Sequence, residues 1–348
     1  MVAPFVHDMA PQRVVFAPGA LARVAEEAAH LGLARALVVA TRGSGARLGA
    51  KVMELLGTRA ARLHAQAVVH VPRAVAEAGL AAAKEARADG VVAVGGGAAI
   101  GLAKAIALGT GLPILAMPTT YAGSEVSPIW GTTDGERKVT GRDAKVLPRA
   151  IIYDPDLTLG LPAALTAASG MNAVAHCVEA LWVPERTPVG MALAMESLRR
   201  FAAHLPRAVE DGSDRAARGE CLVATWLAGA ALVAGTGLHH KLAHVLGGLG
   251  LPHAETHAII LPHVARFNLA VPAADEARTR LAEALDAEDP AARLADLVRG
   301  FPIPQRLRDV GLEESRIGEA AAQVAALNIA LPRPVGAEDV RALLAAAL

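Results

Sequence analysis

Along the first half of the chain the period of the apolar positions changes repeatedly. Short apolar runs fall at 13–16 (RVVF), 35–40 (RALVVA), 67–71 (AVVHV), 90–94 (GVVAV) and 113–117 (PILAM). Between them, apolar residues recur every three to four positions over 21–31, 49–56, 75–88 and 100–108. The runs predict buried strands and the longer period predicts helices. Such alternation predicts a parallel sheet covered by helices on both faces. Beyond Pro162 the strand signal vanishes. Helical spacing covers 171–181, 189–205, 215–233, 241–246, 278–285, 292–299 and 337–347, the last following Pro332, Pro334 and Gly336. An α/β domain over 1–158 and an all-α domain over 159–348 are expected, parted in the LTLGLP stretch at 157–162.

Composition narrows the classes. The 348 residues suffice for two domains. With 53% hydrophobic and 20% charged residues the chain is globular rather than disordered. Its 34 basic and 34 acidic residues cancel, so no bulk charge draws it to nucleic acid or to a membrane surface. No basic–aromatic interleaving suggests single-stranded nucleic acid either. Apolar stretches such as 226–235 are too short to span a bilayer, and helical runs elsewhere are broken by Arg, Glu or His. The start, MVAPFVHDMAPQRVVF, lacks a basic segment followed by an apolar one, so no signal peptide is expected. The two cysteines, Cys177 and Cys221, lie in apolar helical settings. Inert buried thiols in a reducing, cytoplasmic setting are expected.

The first candidate chemistry is the segment GVVAVGGGAAIGLAKAIAL at 90–108, which reads strand, glycine run, helix. Gly95, Gly96 and Gly97 would let backbone N–H groups approach a pyrophosphate. Ala98 would then open a helix whose N-terminus carries partial positive charge. The spacing is not GxGxxG, and a plain strand-to-helix turn is the alternative, although such a turn needs one glycine rather than three. Lys104, further along that helix, faces phosphate or is solvated. A second loop, PTTYAGSE at 118–125, follows the next strand. Thr119, Thr120 and Ser124 offer hydroxyls to phosphate and to the nicotinamide end. Two such loops after adjacent strands fit ligand binding at the carboxyl ends of an open sheet. After the second strand, where an acidic residue usually holds the ribose hydroxyls, stand Thr41 and Arg42. Without the acid a 2′-phosphate is not repelled, and Arg42 is placed to pair with one. NADH use with NADPH tolerated is expected.

Histidines supply the second candidate. Asn172 and His176, His240 and His244, and His253 and His257 are each four apart, one helical turn, in an alanine-rich and otherwise apolar domain. Three such pairs predict a shared polar cleft rather than solvated surface. Three imidazoles and one further donor form a transition-metal pattern. The donor before His176 is an amide, however, and a far poorer ligand than a carboxylate. Without a metal, close histidines repel when protonated, so that some titrate below ~6.5, and a partly protonated cluster binds carboxylates and donates a proton.

In their order along the chain, the glycine run with Lys104, the PTTYAGSEVSP loop, GMNAVAHCVEA, HKLAHVLGG and PHAETHAIILPH resemble the iron-type (group III) alcohol dehydrogenase superfamily, over nearly the whole chain. The resemblance implies a Rossmann-like dinucleotide-binding domain and a helical domain in the dehydroquinate synthase-like fold, with the active site in the cleft between them. Metal-dependent members bind their ion with an Asp and three His. Carried across by motif, those positions are Asn172, His176, His240 and His253, with His244 matching the further active-site histidine. Asn172 replaces the Asp, Gly101 and Ala98 replace the acidic residue and the Ser of the GGGSxxDxxK pattern, and His257 is an added histidine. Within the superfamily the details resemble the maleylacetate reductase branch. It implies NAD(P)H-dependent reduction of a C=C bond in aromatic compound degradation, a vestigial metal site with no metal, and a homodimer.

The implied substrate is a small dicarboxylate. His244 is then the expected acid or oxyanion donor, with His176, His240 and His253 lining the site and Tyr121 assisting from the cofactor loop. Asn172, Lys241, Arg137 and Arg142 are the expected substrate contacts, the cations pairing with carboxylates. Lys138 is a further candidate, but Arg137 and Lys138 fit an exposed hairpin equally well, with Asp134-Gly135 as its turn signal. Two alternatives stay open: a metal-dependent alcohol or polyol dehydrogenase of the same superfamily, and a non-catalytic nucleotide-binding module.

Overall fold

The computed structural model describes residues 5–7, 11–135, 137–232, 235–329 and 332–348. The chain divides into two compact units, Met9–Leu161 and Pro162–Leu348, with Met1–Asp8 grouped with the second.

In the first unit six strands form one wholly parallel sheet: β1 (Arg13–Phe16), β2 (Ala36–Thr41), β3 (Ala60–Ala67), β4 (Gly90–Gly95), β5 (Ile114–Pro118) and β8 (Ala150–Tyr153). The helices among them are α1 (Val24–His30), α2 (Ser44–Leu56), α3 (Arg73–Glu85) and α4 (Gly97–Thr110). A separate antiparallel hairpin joins β6 (Ile129–Asp134) to β7 (Arg137–Arg142). The sheet order is β1-β8-β5-β4-β2-β3. β4 and β5 are buried along their whole length, as their unbroken apolar runs require. From β2 the chain passes outward to β3, and from β4 it passes the other way to β5. The loops leaving these two adjacent strands therefore diverge, and in open parallel sheets such a switch point is where ligands bind.

One strand lies elsewhere than its apolar run suggests. β3 is Ala60–Ala67, not 67–71. His70 and Val71 have φ of 62° and 44°, which closes a turn and cannot continue a strand. Val68 and Val69 are exposed there. The true strand pairs only with β2, at the sheet edge, and of its residues only His64 and Ala67 are buried, so no apolar run marks it. β8 was also not anticipated.

The second unit contains helices and no strand among its described residues: α5 (Ala163–Ala180), α6 (Pro188–Glu210), α7 (Arg215–Ala231), α8 (Leu238–Gly248), α9 (His253–Leu269), α10 (Asp275–Leu285), α11 (Pro290–Arg299), α12 (Ile317–Ala325) and α13 (Ala337–Ala347). The helix expected over 215–233 ends at Ala231, and Val233 lies outside the described residues. α9 and α12 were not anticipated. α5 is apolar nearly all round and accordingly buried from Thr166 to Ala180. Leu238, Leu242 and Leu246 of α8 join Ile259, Ile260 and Val264 of α9, Val324 of α12 and Leu344 of α13 in one core. Cys177 and Cys221 are free and buried, and burial pushes the Cys177 thiol up to about 12, which leaves it an inert core residue.

Candidate functional site

In the first unit β4 ends at Gly95, whose φ of 143° suits only glycine, and whose carbonyl accepts from the Thr119 N–H at 3.2 Å. That bond ties the exit of β4 to the exit of β5. A Cβ on Gly96 would lie 2.8 Å from Thr120 Cγ2, so the two loops approach closely only because Gly96 is a glycine. Gly97, exposed and first in α4, would carry its Cβ into open space. Ala98, Thr119, Thr120 and Ser124 are half-buried around this rim. The arrangement fits a pyrophosphate: backbone can be approached, hydroxyls stand beside it, and a 14-residue helix begins there. After β2, Thr41 is half-buried and Arg42 exposed, with Gly43 at φ 66° making the turn into α2.

Lys104 faces neither phosphate nor solvent. It is 2% exposed, and its ammonium donates to the carbonyls of Ser124 at 2.5 Å, Ser127 at 2.8 Å and Ile129 at 2.7 Å. Three N–H groups thus meet three carbonyls, so the side chain anchors the loop after β5 from beneath. Burial lowers its pKa to about 7, opposed by nearby Glu125. Glu125 is itself buried and accepts from the Tyr153 hydroxyl at 2.6 Å. Gly101 also has a packing reason: a Cβ there would lie 2.8 Å from Val71 Cγ2, so the acidic residue of the superfamily pattern would have to displace that methyl. Tyr121 is fully buried. Arg142 is exposed at the end of β7, and the side chains of Arg137 and Lys138 lie outside the described residues.

In the second unit α5 places Asn172, His176 and Glu179 at i, i+4 and i+7, on one face of a buried helix. α8 brings His239, His240 and His244, with Lys241 half-buried beside them, and α9 brings His253 and His257. The six rings form one network. His176 stacks on His240, with centroids 4.7 Å apart and planes 21° apart. His257 touches His240 at 4.7 Å, His239 at 4.8 Å and His253 at 4.4 Å. His244 stacks on His253 at 5.9 Å. His176, His239, His240 and His257 are buried, whereas His244 and His253 are half-buried and form the accessible rim.

Burial sets the electrostatics. Desolvation, then neighbouring imidazoles, hold His176 and His257 well below the usual histidine range. Desolvation likewise lowers His239 to about 4, against the pull of Glu179. His176, His239 and His257 are therefore neutral at neutral pH. Asn172 Oδ1, His176 Nδ1, His239 Nδ1 and both ring nitrogens of His257 are buried without a hydrogen-bond partner, which marks the cluster as built for a polar ligand.

Ring nitrogens of His239, His240 and His257 lie within 4.8 Å of one another, a set that fits a divalent transition ion. Glu179 backs it, its carboxylate 2.6 Å from His240 Nδ1, as outer carboxylates back metal-bound imidazoles. This compact trio differs from the quartet Asn172, His176, His240 and His253 carried across by motif, and the expectation of no metal finds no support here. His239 and Glu179 escaped sequence reasoning. The signal for Glu179 was available: a lone carboxylate in a helix apolar all round, three residues past His176, must find a partner.

Family models match most of the chain: iron-containing alcohol dehydrogenase over residues 11–155, and the C-terminal Fe-containing alcohol dehydrogenase model over 166–348. A maleylacetate reductase from Sphingobium indicum is 46% identical over 99% of this chain and 97% of its own. Among solved structures, a maleylacetate reductase from Agrobacterium tumefaciens superposes with a TM-score of 0.94 at 41% identity, covering 100% of this chain and 99% of its own. An iron-containing alcohol dehydrogenase from Corynebacterium glutamicum has the same TM-score at 42% identity, covering 100% and 98%. With both units matched and the histidine helices in place, the chain belongs to the iron-containing alcohol dehydrogenase family, on its maleylacetate reductase branch.

Proposed function

We propose that this oxidoreductase reduces the C=C bond of maleylacetate with NAD(P)H, giving 3-oxoadipate. The observation that carries the proposal is the imidazole network, with His176, His239 and His257 buried and neutral and an accessible rim at His244 and His253. Maleylacetate joins a ketone to an alkene between two carboxylates. Bound NAD(P)H would supply hydride to the alkene carbon β to the ketone. Charge then develops on the ketone oxygen as an enolate, and the α carbon takes a proton.

His244, at the rim, is assigned as the acid, with His253 stacked against it. A positioned acid contributes about 10²–10⁴-fold. An imidazole N–H aimed at the developing oxyanion lowers the barrier by ~3 kcal/mol. His176, His239 and His257, being neutral, accept and donate hydrogen bonds without adding charge. Lys241, beside the imidazole network, is assigned to a substrate carboxylate. His239, His240 and His257 would hold a divalent ion, which would supply Lewis-acid polarisation of the ketone oxygen. Gly96, Gly97, Thr119, Thr120 and Ser124 are assigned to the cofactor phosphates, and exposed Arg42 to a 2′-phosphate, so that NADH is used and NADPH tolerated. A cytoplasmic homodimer belongs to the same proposal, on family resemblance. No helix among the described residues is long and apolar enough to cross a membrane.

The test is consumption of NADH and of NADPH with maleylacetate, by protein as purified and after chelation. Turnover with both cofactors supports the proposal. A second reading, a metal-dependent alcohol dehydrogenase, is favoured by the imidazole trio. Stoichiometric metal and oxidation of alcohols, without turnover of maleylacetate, would establish it instead.

A further inference from the structure

Glu179 is a fully buried carboxylate to which the proposed chemistry assigns no direct role. Its oxygens accept from the backbone N–H of Gly237 at 2.9 Å and of His239 at 2.8 Å, and lie 2.6 Å from His240 Nδ1. The contacts bridge about sixty residues of sequence, from α5 to the start of α8. A Cβ on Gly237 would sit 2.9 Å from Glu179 Oε1, so glycine is required for the carboxylate to come this close. Gly237, the N-cap of α8, has no side-chain cap, and Glu179 supplies that function from outside the helix.

Burial pushes the Glu179 carboxyl up, but both of its oxygens already accept backbone N–H groups, which favours the carboxylate; held 2.6 Å from a carboxylate oxygen, His240 Nδ1 carries the hydrogen. A neutral imidazole so held has only the Nε2 lone pair to offer. We propose that Glu179 is a positioning residue: it locks His240 as the Nδ1–H tautomer and turns its Nε2 lone pair toward the ring cluster. His240 then serves as hydrogen-bond acceptor or metal ligand, and the proton for the substrate comes from the rim histidines. This assignment deepens the proposed reductase activity and, in its catalytic part, rests on it.

The test is ¹⁵N NMR of the protein labelled at histidine, with His240→Gln to assign the resonance. In wild type the expected spectrum shows His240 protonated at Nδ1 and bare at Nε2. In Glu179→Gln the new amide can donate to Nδ1, and the tautomer shifts to Nε2–H. There kcat with maleylacetate falls about 10–100-fold while KM stays within about threefold, with circular dichroism and NADH affinity unchanged. Glu179→Asp, which keeps the carboxylate, retains the Nδ1–H form. A wild-type His240 protonated at Nε2 would overturn the proposal. So would a Glu179→Gln protein with wild-type tautomer and kcat. The wild-type spectrum, assigned with His240→Gln, needs neither substrate nor a Glu179 variant, so it tests the Nδ1–H tautomer even if Glu179→Gln fails to fold or maleylacetate is not turned over. In the last case the functional proposal alone fails.

Discussion

Gly97→Ala separates the stability of the glycine loop from its use. Gly97 opens α4, has no unusual φ, and its added Cβ would meet no atom within 4 Å. Replacing a helical glycine by alanine at such a site stabilises by about 0.4–1 kcal/mol, chiefly by restricting the unfolded chain. For a protein of this size that raises Tm by about 0.5–1.5 °C. If a cofactor phosphate rests against Gly97, the methyl stands in its way. Losing one charge-assisted hydrogen bond from backbone to phosphate costs about 1.5–3 kcal/mol, a rise of about 10–150-fold in Kd. Stability and affinity should therefore move in opposite directions. Gly96→Ala should lower both, because its Cβ would lie 2.8 Å from Thr120 Cγ2 and overpacking costs about 1–3 kcal/mol. Thermal melts give the stability arm, and fluorescence titration with NADH gives the affinity arm. If Gly97→Ala and Gly96→Ala both bound NADH like wild type, the dinucleotide would not sit on this loop.

Three further outcomes follow from the histidine unit. His244→Ala should lower kcat with maleylacetate by about 10²–10⁴-fold while leaving NADH affinity intact, and an unchanged kcat removes His244 as the acid. Asn172→Asp should raise affinity for a divalent metal by at least about tenfold, read by metal analysis after dialysis, since a carboxylate neutralises part of the ion's charge; no gain argues that position 172 does not face the metal seat. In chelator, stability to urea should be full above pH ~6.5 and fall as pH drops toward 4. The unfolded chain then takes up protons that His176, His239 and His257 refuse in the folded state. With His239 held near 4, its share alone is of order 3 kcal/mol, and a flat profile between pH 7.5 and 5 would mean the cluster is not buried and neutral.

What sequence could reveal was local. GVVAV, the three glycines and the following period are neighbours in the chain, so strand, turn and α4 were legible. The pairs Asn172–His176, His240–His244 and His253–His257 were legible for the same reason, each lying one turn apart. Relations across the fold were not. Glu179 meets His240 across 61 residues, and Lys104 meets its carbonyls 20 to 25 residues on, buried where its charge suggested phosphate or solvent. β3 lies elsewhere because this edge strand buries only His64 and Ala67, while an exposed turn happens to hold two valines. Gly101 is a missing acid in the sequence pattern, and only the fold brings Val71 against it.

The most direct measurement is the fate of deuterium from NADH labelled at the nicotinamide C4, followed by NMR of the product formed from maleylacetate. The account predicts 3-oxoadipate with deuterium on the methylene carbon β to an intact ketone, a position that does not exchange with water. Deuterium on a carbinol carbon, with the alkene retained, would show carbonyl reduction and contradict it.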